Sequence, residues 1–164
     1  MNEDDREYRE YASPPCFAHE LQDGCAVPLT LAELTTQLNV LLEGERAGAR
    51  GLIGMAAGCP GEDLRRLLEQ VARDEAACCS MLIRHLKRLG GAPSRETGVF
   101  YDKLQARESL QERLRLLDRG QTAVVRTLDG LLRHVDDPAL RTDLEHMRAL
   151  HVRNVALCAG YLDS

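Results

Sequence analysis

Four stretches of this chain carry apolar residues at alternating steps of four and three, and each run is broken near its middle by one polar residue. Such steps trace one face of an α-helix, so the chain must bury four helical faces against one another. On the first face Leu34, Leu38 and Leu41 lead to Glu45, followed by Gly48, Leu52 and Met55. On the second Leu64, Leu68 and Val71 lead to Glu75, then Cys78, Leu82, His85 and Leu89. The third runs from Leu110, Leu114 and Leu117 through Gln121 to Val124, Leu128, Leu131 and Val135. The fourth passes from Leu140, Leu144 and Met147 through His151 to Asn154, Cys158 and Tyr161. Glu43 stands two residues before Glu45, cannot share its face, and reads as the solvated glutamate of the pair.

The punctuation between the runs fixes where helices start and stop. Thr30 to Glu33 and Ser109 to Glu112 both have the Ser/Thr-x-x-Glu form of a capping box, and Leu29 and Leu34 flank the first as a hydrophobic staple. Gly58, Pro60 and Gly61 end the first helix near Ala57, and Gly90-Gly91 end the second. Asp137-Pro138 is an N-cap followed by proline at the first helical position. Nothing alternates as a strand would, so the fold class is all-α: a four-helix bundle over residues 30–164, preceded by a flexible arm over 1–29. Short connections at 58–61 and 135–137 imply two antiparallel hairpins. The twenty residues from Gly90 to Ser109 are long enough to cross the length of a bundle, with Val99-Phe100-Tyr101 forming a short helix on the way.

The four polar interruptions share a height. Glu45 and Glu75 are each fifteen positions from residue 60, in the first turn, and Gln121 and His151 are each fifteen from residue 136, in the second. Fifteen helical residues rise about 22 Å, which is half the length of such a bundle. Two carboxylates, an amide and an imidazole therefore meet in one layer. Burying unpaired carboxylates costs several kcal/mol each, so they must be neutralised. Counter-charge can come from protonated His151, from Arg46 or Arg119 reaching in from adjacent positions, or from a metal. Glu45, Glu75 and His151 make an oxygen and nitrogen donor set suited to iron, manganese or zinc. Cys79 follows Glu75 by one helical turn and can approach the layer from its edge, as a redox-active thiol or a compact hydrophobe.

Composition bounds what else the chain can be. With 164 residues, two Phe, four Tyr and no Trp, the core must be aliphatic. A net charge of -5 gives nucleic-acid binding little support. The acidic start MNEDDREYRE is unlike a secretion signal, and no apolar run reaches membrane-spanning length, so the expectation is a cytoplasmic protein that engages no membrane. The six cysteines show no C-x-x-C spacing and read as free thiols.

This arrangement resembles the ferritin-like superfamily over residues 30 to 162. The stretches LNVLLEGERAGARG, DEAACC, GGAPSRETGVFY, RGQTAVV and HMRALHVRN are similar to a family of uncharacterised bacterial ferritin-like proteins. The superfamily implies oxidation chemistry at a di-iron or di-manganese site, oxygen or peroxide handling, or metal storage. A standard di-metal site there takes one Glu from each of two helices and Glu-x-x-His from each of the other two. Here the residues three after the inward ones are Gly48, Cys78, Val124 and Asn154, and the only literal pair, Asp143-x-x-His146, lies off the stripe. A mononuclear site, or a non-canonical dinuclear one assisted by Cys78 or Cys79, fits these residues better. The favoured reading is a metal-dependent oxidoreductase acting on a small substrate such as dioxygen or peroxide, with Gln121 orienting a bound water or oxygen species. The rival is a metal-free helical scaffold that forms a homodimer or carries a partner on its outer face, its polar layer fixing register.

Overall fold

A computed structural model describes residues 27–162, so most of the expected N-terminal arm, with Cys16 and Cys25, lies outside the described residues. Those residues form five α-helices: α1 (Leu31–Ala57), α2 (Glu62–Arg88), α3 (Phe100–Gln105), α4 (Leu110–Leu131) and α5 (Pro138–Ala159). No strand occurs among them. A 3₁₀ turn, Leu132–His134, extends α4. None of these helices is long and apolar enough to cross a membrane.

The helix ends are set by the predicted side chains. Both capping boxes form, Thr30 with Glu33 and Ser109 with Glu112, each hydroxyl accepting from the backbone N–H that the glutamate offers while the glutamate accepts in return. Asp137 caps α5 by accepting from the Leu140 N–H, with Pro138 at the first helical position. α2 ends at Arg88, capped by Leu89, and Gly90 next to it has a φ of 76° in the left-handed region. The Gly91 N–H then donates to the Leu86 carbonyl and the Gly90 N–H to that of Lys87, closing the carbonyls the helix leaves open.

α1 packs most extensively on α2, and α4 on α5. Both pairs run antiparallel, because the start of α1 meets the end of α2 at Thr35 and Gly91 while Gln111 of α4 donates to the Tyr161 carbonyl just beyond α5. The two pairs meet through α2 and α5, where Arg153 pairs with Asp74 at 2.7 Å, Arg84 and His85 reach Asp143, and Arg88 holds Asp137.

Between the pairs the chain runs back along α1. Asn39 donates to the Ala92 carbonyl and accepts from the Ser94 N–H, Arg46 donates to the carbonyls of Ser94 and Glu96, and Arg50 donates to the Thr97 hydroxyl. The contacts advance from Asn39 to Arg50, so the segment travels toward the end where α2 began, and α4 starts there. α3 seats this return: Leu104 fills the space above Gly51, and Phe100 lies against Gly120.

The stripes point inward as the spacing implies, and they bury two separate apolar clusters. One gathers Leu38, Leu42, Leu82, Leu86, Leu128 and Leu144, and the other Leu52, Leu68, Val71, Leu114, Leu117 and Cys158. Polar side chains divide them.

Candidate metal centre

Glu45 on α1, Glu75 on α2, Gln121 on α4 and His151 and Asn154 on α5 are all buried, none more than 4% exposed. Each is on its helix's inward stripe, at the level where the two apolar clusters give way to polar side chains.

His151 defines the geometry. Its Nδ1 faces the Met147 carbonyl at 2.9 Å, and a carbonyl can only accept, so Nδ1 carries a proton. Its Nε2 therefore turns to Glu45 Oε1, 3.1 Å away, with a lone pair facing a carboxylate unless a cation or proton lies between. Burial alone would lower the His151 pKa, but the Glu45 charge, its hydrogen bond and the Met147 carbonyl outweigh it and hold the imidazole above its ordinary value. The site thus attracts positive charge.

Glu75 occupies the neighbouring corner. Gln121 Nε2 donates to Glu75 Oε1 at 2.5 Å. Burial, and then the nearby Glu45 charge, push the Glu75 carboxyl well above the usual carboxylate range, with the Gln121 hydrogen bond opposing them. Its carboxylate folds over Gly48: a Cβ at that position would stand 2.7 Å from Glu75 Cδ and closer still to Oε2. This glycine is a site residue the stripe could not reveal, since a glycine between Glu45 and Leu52 reads only as a small core position.

The sequence-predicted residues are thus brought to one level, but not all to one point. Glu45, Cys78 and His151 place one potential ligand atom each within 4.8 Å of one another. Glu75 is not in that group: its carboxylate lies over Gly48 of α1 and accepts from the Gln121 amide of α4. The nearer thiol belongs to Cys78. Burial, with the two glutamates adding to it, raises the Cys78 pKa. Cys79 is half-buried against the first apolar cluster, its thiol pushed up to about 12 by burial first and the Glu45 charge second. Arg46, one candidate counter-charge, has its guanidinium turned instead to the returning segment at Ser94 and Glu96. His146 is exposed, and Asp143 accepts from His85 at 2.7 Å.

Several atoms of the layer have no hydrogen-bond partner: Glu45 Oε2, Glu75 Oε2, Gln121 Oε1 and both amide atoms of Asn154. Buried polar atoms are rarely left so, and a cluster of them calls for a shared proton or an ion as partner. A cavity of about 150 Å³ reaches the layer between α1 and α4, its walls including Glu45, Glu75 and Gln121 together with Val40, Val124 and Phe100.

A family model described as a domain of unknown function, DUF6306, matches residues 32–160. No curated protein and no solved structure matches the chain.

Proposed function

The chain belongs to the DUF6306 family, and from the layer it encloses we propose that it is a metal-dependent oxidoreductase of ferritin-like fold. In this reading α1, α2, α4 and α5 form a four-helix bundle in two antiparallel hairpins, joined by the segment that returns along α1. The observations that carry the proposal are the Glu45, Cys78 and His151 ligand atoms within 4.8 Å of one another and the buried carboxylate and amide oxygens of Glu45, Glu75, Gln121 and Asn154 that have no hydrogen-bond partner.

Glu45 and His151 would hold the ion, with Cys78 within reach, and Glu75 would supply the second carboxylate. Gln121 holds Glu75 in place by donating to it, and so takes the position for orienting a bound water or substrate. The donor set suits iron, manganese or zinc. An ion bound there would polarise, or exchange electrons with, a small substrate such as dioxygen or peroxide. Met147, through its carbonyl, fixes the His151 tautomer, and the apolar clusters on both sides keep bulk water out.

A specific observation also favours the metal-free scaffold. Glu45 already faces His151, and Glu75 is pushed toward its neutral form, so protons alone could balance the layer. Elemental analysis of untagged protein, with thermal melting in the presence and absence of chelator, separates the two. The metal reading expects near-stoichiometric iron, manganese or zinc, a clear chelator-induced drop in Tm, and loss of the metal in Glu75→Ala. Substoichiometric metal under every supply, with an unchanged metal content in that variant, overturns it.

A further inference from the structure

We propose that the Phe100 ring is the gate between the outside of the molecule and the polar layer, and that the ion and any small substrate enter past it from the cleft between α1 and α4. The proposal rests on the metal-site reading above and gives that site its route of access.

Something has to move before the layer can be filled. The cleft comes up to Glu45, Glu75 and Gln121, yet Glu45 Oε2, Glu75 Oε2 and Gln121 Oε1 are shut off from solvent. Every wall residue except Phe100 belongs to a helix of at least 22 residues. Displacing one of those helices would part a packed apolar face along its length. Phe100 is different: it opens a helix of six residues whose N-cap, Val99, makes no side-chain capping bond and is 64% exposed. The movable part of the wall is this ring.

The rest of α3 is held to α1 and need not move with the ring. The Gly98 N–H donates to the Glu43 carbonyl at 3.0 Å, the Arg50 guanidinium lies 4.6 Å from the centre of the Tyr101 ring, and Leu104 is buried above Gly51. Phe100 instead reaches across to α4, where it rests on Gly120. A Cβ at that position would stand 2.8 Å from the ring. Glycine is unfavourable in the middle of a helix, so its presence there keeps a seat for the aromatic side chain. A ring that leaves its seat and returns lets solutes through and closes the layer to water again.

The test reads opening through Cys78, which is 3% exposed and lies beside Glu45 and His151. Full-length protein carrying Cys79→Ser, held metal-free with chelator, is treated with iodoacetamide and the alkylation of each cysteine is followed by peptide mass spectrometry. Cys158, fully buried in the second apolar cluster, gauges general loosening. Phe100→Ala removes the ring and Gly120→Ala displaces it; each should speed Cys78 alkylation about fivefold or more and leave Cys158 unchanged. The double variant should be no faster than Phe100→Ala, because both changes act on one seat. Zinc uptake, and zinc loss to a chelator, should quicken together and leave affinity unchanged. An unaltered Cys78 rate in both variants, or a matching rise at Cys158, overturns the proposal. Faster Cys78 alkylation in a protein that takes up no zinc keeps the gate and overturns only the metal reading, while zinc uptake with unaltered rates and unaltered Cys78 does the reverse.

Discussion

Gly48 leaves the space into which the Glu75 carboxylate folds, one turn along α1 from Glu45. Alanine there would favour the helix by about 1 kcal/mol, but its methyl would lie where the carboxylate is. We expect Gly48→Ala to fold and to lose tenfold or more in divalent-metal affinity, measured by zinc titration of the purified protein. Unchanged affinity would mean that Glu75 takes no part in binding. At this scale much of the site was legible, since steps of four and three put Glu45, Glu75, Gln121 and His151 inward and counting from the turns put them level. Lateral position was not legible. Height along a helix follows from residue number, but which corner of a layer a side chain fills depends on rotamers and on where a neighbour leaves room. Hence Cys78 is the thiol nearest Glu45 and His151, and Glu75 turns toward Gln121.

Asp137 does two jobs where α2 meets α5. It caps α5 through the Leu140 N–H and takes two bonds from Arg88, at 2.8 and 2.9 Å. The Arg88 hydrogen bonds first, and the Leu140 N–H second, hold its carboxyl down at about 2 against an ordinary 3.8. A carboxyl with a depressed folded pKa stabilises the protein fully above its unfolded value and loses that contribution as pH falls through the folded one. Asparagine keeps a good N-cap and removes the charge. Asp137→Asn should therefore melt below the parent at pH 5, and the gap should close as pH falls from about 4 to about 2, measured by thermal melts across that range. A gap that holds constant to pH 2 would show that Arg88 does not stabilise the ionised form. Helix starts and stops were written in local chemistry, in Thr30, Ser109, Asp137 and the Gly90-Gly91 pair, because a cap needs only its own neighbours. The bonds among Arg84, His85, Arg88, Asp137 and Asp143 were not, because they join helices 49 or more positions apart and depend on how each is rotated.

Taken whole, the molecule has two apolar clusters separated by a layer of carboxylates, amides and an imidazole. Replacing a buried polar set by apolar residues of similar volume is often neutral or stabilising by about 1–4 kcal/mol, whereas removing one partner strands the other. We expect the joint change of Glu45, Glu75, Gln121 and His151 to leucine to raise the unfolding midpoint in urea and to abolish metal uptake. A lower midpoint would mean that the layer contributes to packing rather than to binding. The segment that returns along α1 carries a consequence of another kind. Its anchors are Asn39, Arg46 and Arg50, all on one helix, so it has nothing to lie against until that helix has formed. α4 and α5 can dock only once this loop has been closed, and loop closure is an entropic cost met before the contacts that reward it. The chain should consequently fold more slowly than an all-helical protein of equal length joined by short turns throughout, and its rate should respond to the stability of α1 more than to that of α5.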